Sequence, residues 1–230
     1  MAAAAALLAV LAGTWLRGAE AAETGWRYVG IQEGVKLYER SVEGRDLPRV
    51  RGTLQIRASV FELLAVLDDI DRACEWNARC LESTVLERRG KTELVFYHLT
   101  DLPWPVSDRD VVLVTRVTGY AQGVDVTASF ATTTHRRRPT QDGIVRIPRM
   151  QGHFRVQRLG PGLSEVTYEL DADLGGWIPD WILRRLGRGV PAGTLAALQR
   201  YERRNRVRYA PFVAEHQPAP EADERPVPQR

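Results

Sequence analysis

The chain has 230 residues, a formal net charge of +3, 44% hydrophobic residues and 27% charged residues. That length suits one substantial domain with tails, and those fractions are ordinary for a globular protein with a core. The basic residues are nearly all arginine, Lys36 and Lys91 being the lysines, and so small a surplus of charge gives no footprint for nucleic acid.

The first 22 residues, MAAAAALLAVLAGTWLRGAEAA, form an apolar run followed by the small-residue stretch Ala19-Glu20-Ala21. This is the pattern of a signal peptide, which would send the mature chain out of the cytoplasm to the periplasm. Against that pattern, no lysine or arginine precedes the run. Arg17 interrupts it too early for a regular membrane span, although an uncleaved segment would still anchor the chain.

Trp26 to Ile56 reads as an opening hairpin, VKLYERSV (35–42) and RVRGTLQI (49–56), joined by a turn around Gly44 and Asp46. Ser59 is an N-cap for VFELLAVLDDI, and Glu62 three residues later completes a capping box. Val60, Leu63, Leu64 and Leu67 give that short helix its apolar face. Residues 71–81 read as a loop around Trp76 in which Cys74 and Cys80 frame CEWNARC. An oxidising compartment favours a bridge between them, worth on the order of 2–3 kcal/mol for so short a loop; two buried free thiols are the other reading. With no neighbouring histidine they do not form a zinc site.

Residues 84–87 and 93–100 read as the next hairpin, across Arg89-Gly90. In PWPVSDRDVVLVTRVTGY (103–120) two prolines exclude a strand interior at the start, and DVVLVTRV then resumes an extended pattern. Val124, Val126, Ala128 and Phe130 alternate along the next strand, and HRRRPTQDG (135–143) is a polar loop. Met150, Gly152, Phe154 and Val156 alternate again, as do Val166, Tyr168, Leu170 and Ala172 across Gly160-Pro161-Gly162.

The run from 175 to 209 is the long amphipathic segment of the mature chain. Ile178, Trp181, Ile182, Leu186 and Val190 recur at helical spacing, and Leu195, Leu198 and Tyr201 resume it after Pro191, where a kink or a restart is expected. Each large side chain on that stripe gains roughly 1.5–3 kcal/mol on burial, so the helix needs a sheet face to cover it. Residues 211–230 read as a disordered, proline-rich, charged tail. Strands, a short helix, more antiparallel strands and a terminal helix make an α+β layout, with a curved sheet gripping the helix.

Two stretches carry a family resemblance. Pro105, Ser107, Arg109 and Asp110 open one strand, and Asp173, Gly175, Gly176, Trp177 and Pro179 precede the terminal helix. In these patterns and their order, over roughly residues 25–210, the chain resembles a bacterial-type START domain, the steroidogenic-acute-regulatory-protein-related lipid-transfer family. The resemblance implies a domain over 23–210 with a helix-grip fold, a curved antiparallel sheet around the C-terminal helix enclosing a hydrophobic cavity. It implies binding of one phospholipid, fatty acid or sterol for transfer or sensing, with no catalysis and neither cofactor nor metal.

Under that implication Arg146, Phe96, His98, Phe130, Phe154, Trp177, Trp181 and Leu198 would contact the ligand. Arg146 would orient its head group, yet the preceding strand, VTASFATTT, offers it no carboxylate; the alternative is that Arg146 meets water or points outward. Ser107, Arg109, Asp110, Gly176 and Pro179 would be structural, with Asp108, Arg109 and Asp110 forming an ion cluster. Trp177 and Trp181 would gate the cavity or pack under the helix start. Arg136, Arg137 and Arg138 are a solvated loop tip or a transient contact with an anionic membrane surface. An enzyme of polyketide cyclase or aromatase type is the alternative, with His98 or His153 as acid or base; a sensing or scaffold module with a filled core is the third.

Overall fold

The computed structural model describes residues 25–217 apart from 46 and 121, and the side chains of these except at 184–188. The expected signal segment and most of the expected tail lie outside them. Three strands, β1 (Arg27–Gln32), β2 (Val35–Arg40) and β3 (Arg49–Ile56), precede helix α1 (Val60–Asp68) and a 3-10 turn (Ile70–Glu75). Then come β4 (Cys80–Arg89), β5 (Glu93–Thr100), β6 (Arg109–Thr118), β7 (Asp125–Thr132), the two-residue β8 (Val145–Arg146), β9 (Arg149–Gly160), β10 (Leu163–Asp173) and helix α2 (Asp180–His216). The strands form one open sheet in the order β1-β2-β3-β10-β9-β7-β6-β5-β4, every neighbouring pair antiparallel. The exception stands off that path: β8 runs parallel to the start of β6.

The capping box at α1 is present, with the Glu62 amide donating to Ser59 Oγ at 3.3 Å and the Ser59 amide to Glu62 Oε2 at 2.6 Å. The buried positions of α1 include Val60, Leu63 and Leu64. Helix α2 packs against α1 and the β2–β3–β10 side of the sheet. Val35, Val50, Ile56, Val166, Leu195 and Leu198 meet there in the main core. Gly52 permits the close approach: a Cβ on it would stand 2.9 Å from Val35 Cγ1 and 3.0 Å from Pro191 Cβ.

Helix α2 runs through Pro191 as one helix, without the restart that is one of the two expectations there. It corrects the sequence reading at its end by continuing through Pro211 to His216, past the start assigned to the tail. A proline inside a helix forfeits one hydrogen bond and costs about 3 kcal/mol. At Pro191 the ring is buried against β3, and beyond Pro211 the side chains of Phe212 and Val213 pack on the main core. Tertiary burial overrides what the local composition favours.

The other face of the sheet carries a second, smaller core of Leu86, Val95, Tyr97 and Val112. The loop before β8 lies over it, with the Arg138 guanidinium 4.2 Å from the Tyr97 ring centroid and Gln141 Nε2 donating to the Tyr97 hydroxyl at 3.3 Å.

Candidate functional site

Because α2 leans on one wing of the sheet, the other wing presents its inner face to open space. Alternation along β5 sends Leu94, Phe96, His98 and Thr100 inward, and along β6 Arg109, Val111, Leu113 and Thr115. Phe130 of β7, Met150 and Phe154 of β9, and Tyr168 and Leu170 of β10 continue the wall. Leu64 and Leu67 of α1, Trp76 after the 3-10 turn, and Val190, Gly193 and Ala197 of α2 face them. The pocket between these surfaces has a volume of about 1190 Å³.

Most of that wall is hydrocarbon. Phe154 and Tyr168 stack with centroids 4.3 Å apart, and Phe130 stands 6.3 Å from each. Two of the polar groups in it, Tyr168 and His98, are uncharged, whereas charged side chains, Asp68, Arg79, Arg88 and Arg109 among them, stand elsewhere along the lining. Burial raises the Tyr168 phenol far above its usual range, and burial pushes His98 down to about 4, so both are neutral at pH 7. His98 Nδ1 lies 3.8 Å from Cys80 Sγ, and Cys80 is disulfide-bonded to Cys74.

Arg109 stands at one end of the pocket and is only 2% exposed. Its Nη1 donates to the Ser107 carbonyl and its Nη2 to the Gly175 carbonyl at 2.9 Å, which ties the loop before β6 to the loop before α2. Nε has no partner among the described residues, and burial lowers the guanidinium's pKa. Gly176, at φ +63, is held at glycine both by that backbone and by Arg109, whose Nη2 would be 3.3 Å from a Cβ there. Pro179 occupies the N-cap position of α2. Asp108 does different work, accepting from the Leu102 amide at 3.2 Å. The Asp108 charge also acts on Arg109, and Asp110 pairs with Arg146.

Arg146 is not at the pocket. Pairing of β8 with β6 sets it beside Asp110, whose side chain points to the opposite face from Arg109. Its Nε and Nη2 donate to the two Asp110 carboxylate oxygens at 2.7 and 2.8 Å, and Nη2 also reaches the carbonyls of Arg138 and Pro139. The carboxylate missing from the preceding strand comes from a strand 36 residues earlier. Phe96, His98, Phe130 and Phe154 line the pocket as expected from alternation. Leu198 lies wholly inside the core between α2 and the sheet. Trp177 and Trp181 face solvent, at 71% and 50% exposure, so Trp181 does not pack under the helix start; Ile178 and Ile182 do, against Leu102 and Val106. His153 borders a small outer-face depression with Gln151 and Glu169, away from the pocket. Tyr168 and Leu113 were legible as inward positions of their strands, whereas Trp76, in a loop, left no periodic signal.

A family model described as the START domain matches residues 16–203. An uncharacterised protein of Pseudomonas aeruginosa is 32% identical over 174 residues, covering 76% of this chain and 85% of its own length. Among solved structures, the STAR-related lipid transfer protein of Xanthomonas axonopodis (fragment 25–204) is 32% identical and superposes with a TM-score of 0.70, over 78% of this chain and 99% of that one. Human STARD10 superposes with a TM-score of 0.69 at 22% identity, over 86% and 84% of the two chains, a likeness of fold.

Proposed function

This chain belongs to the START domain family, and from that premise we propose that it binds one lipid between the sheet and its two helices, in helix-grip fashion, and carries it between membranes. The observation that carries the reading is the pocket itself: about 1190 Å³ of space walled mostly by aliphatic and aromatic side chains, with neutral and charged polar groups among them. Sites for drug-sized molecules run from roughly 300 to 1,000 Å³. A larger pocket favours a lipid with two chains over a single fatty acid or a sterol. Each methylene moved from water into it gains about 0.8 kcal/mol, so chain length dominates affinity.

Exchange with a membrane needs a docking face, and the loops joined by Arg109 supply one. Trp104, 89% exposed, and Trp177, 71% exposed, flank the helix start and suit the membrane–water interface. Arg136 and Arg137, exposed on the loop before β8, would add attraction to anionic head groups. Export to the periplasm through the N-terminal segment is part of the same proposal and would put the protein between two membranes.

An aromatase or cyclase would draw on His98, which lines the pocket as His216 also does. A group whose pKa is held near 4 is a weak base at neutral pH, which favours the non-catalytic reading. Transfer of fluorescent phosphatidylcholine and phosphatidylglycerol from donor to acceptor vesicles tests the carrier. Catalytic amounts of protein should accelerate exchange of at least one of them; no acceleration of either, under conditions where the protein is folded, contradicts it.

A further inference from the structure

We infer that the Cys74–Cys80 disulfide is a redox latch on the pocket wall, closed when oxidised and releasing the bound molecule when a dithiol reductant opens it; this rests on the lipid-binding reading above. The latch sits where a small local change reaches the pocket. The segment it encloses supplies Trp76, Asn77, Ala78 and Arg79 to the lining, and Ile70 and Ala73 precede it in the same wall. Cys80 begins β4, an edge strand that pairs with β5 alone among the described residues. Cys74 lies in the 3-10 turn, which Glu75 anchors to α2 by accepting from the Tyr201 hydroxyl at 2.6 Å and from Arg208 at 3.1 Å. One side of the segment is thus pinned to the long helix. The disulfide joins it to the sheet edge, alongside the Val85 amide donating to Asp71 Oδ1 at 2.8 Å and the Asp101 amide donating to the Arg79 carbonyl at 2.8 Å.

Two features give the latch something to release. The Trp76 indole N–H is buried without a hydrogen-bond partner among the described residues, a burial that costs free energy and is relieved if the ring swings toward water. The loop closed by the disulfide is also short, so opening it removes little of the constraint on the unfolded chain, and the effect falls on the wall more than on the fold.

The chemistry balances with a dithiol as co-reactant. Its thiolate attacks Sγ of Cys74, the more exposed residue of the two; the S–S bond breaks, and Cys80 leaves as a thiolate and takes up a proton. The reductant's second thiol then displaces Cys74 from the mixed disulfide and departs as a cyclic disulfide. Two electrons and two protons have passed to the protein. Cys80 then carries an S–H facing His98 Nδ1, the contact now at 3.8 Å. A neutral imidazole that accepts there carries its proton on Nε2, so reduction also sets which hydrogen-bonding group His98 offers.

The test uses the full chain loaded with pyrene-labelled phosphatidylcholine, oxidised or treated with dithiothreitol, together with the Cys74→Ser/Cys80→Ser double variant. Two quantities are read, hydrogen exchange of the backbone amides over 74–80 and the rate of probe release to acceptor vesicles. The latch predicts faster exchange confined to that segment and release about tenfold faster, the effect of relieving one buried unpaired donor. Unchanged exchange on reduction overturns it, and so does faster exchange with an unchanged release rate. If the double variant does not fold, reduction of the folded wild-type chain decides. An oxidised protein that retains no lipid probe at all overturns the binding reading itself, whereas retained probe with a redox-blind release rate overturns the latch alone.

Discussion

Replacing Arg146 with leucine separates a head-group ligand from a structural arginine. Asp110 is 1% exposed and receives two guanidinium hydrogen bonds from Arg146, at 2.7 and 2.8 Å. The substitution leaves that carboxylate buried beside leucine, and breaking a buried pair from one side costs about 3–5 kcal/mol. Asp110 keeps one partner, the Tyr97 hydroxyl, whose pKa is pushed up to about 12 by burial and by the nearby Asp110 charge. The lower end of the range, about 3 kcal/mol, is therefore expected. In a domain of this size that lowers Tm by roughly 6–12 °C. The assay is thermal unfolding by circular dichroism beside lipid uptake from vesicles of phosphatidylcholine, phosphatidylglycerol and cholesterol. Lipid preference should be unchanged at a temperature where the variant is folded. Removing the carboxylate as well, in Asp110→Leu/Arg146→Leu, should recover most of the lost stability, because two apolar groups leave no charge stranded. An Arg146→Leu variant with normal Tm and altered selectivity would refute the assignment of this arginine to the outer face.

Gly52→Val should lower stability by about 2 kcal/mol, because its Cβ meets Val35 and Pro191 at contact distances that well-packed side chains cannot give up; urea unfolding checks it, and a neutral effect would mean that α2 does not sit so close to β3. The pH dependence of stability should carry the mark of His98, whose folded pKa of about 4 lies below the ordinary 6.5. Between those values the unfolded chain binds a proton that the folded chain refuses, so stability is full above pH 6.5 and falls as pH drops toward 4, by up to about 3 kcal/mol. His98→Phe should flatten that slope in chemical denaturation curves taken from pH 7 to 4, and an unaltered slope would show that other groups cause it. Trp104→Ala with Trp177→Ala should weaken sedimentation with vesicles several-fold while leaving Tm within about 2 °C, since both rings are mostly in water; an equal loss of Tm would mean that they pack and do not dock.

What the sequence disclosed and what it concealed divide along a physical line. Local rules placed the Ser59 capping box and the strands whose inward residues include Phe96, His98, Phe130 and Phe154, because capping and strand alternation are set within a few residues. The START patterns marked Arg109 and Gly176, two ends of one contact, without revealing that the contact is a guanidinium reaching the Gly175 carbonyl. The partner of Arg146 escaped because β8 is two residues long and joins β6 in parallel, a pairing with no periodic signature. Helix α2 outran its apparent end because Phe212 and Val213 find partners in the core that composition alone cannot supply. Trp181 looked internal from its spacing, yet Ile178 and Ile182 fill the contact with Leu102 and Val106.

Native mass spectrometry of the folded chain, before and after incubation with phospholipid vesicles, probes the central claim most directly. A carrier with a pocket of about 1190 Å³ should show a mass increment equal to one lipid per chain, either as purified or after incubation. A folded chain that keeps its bare mass under both conditions would contradict the account.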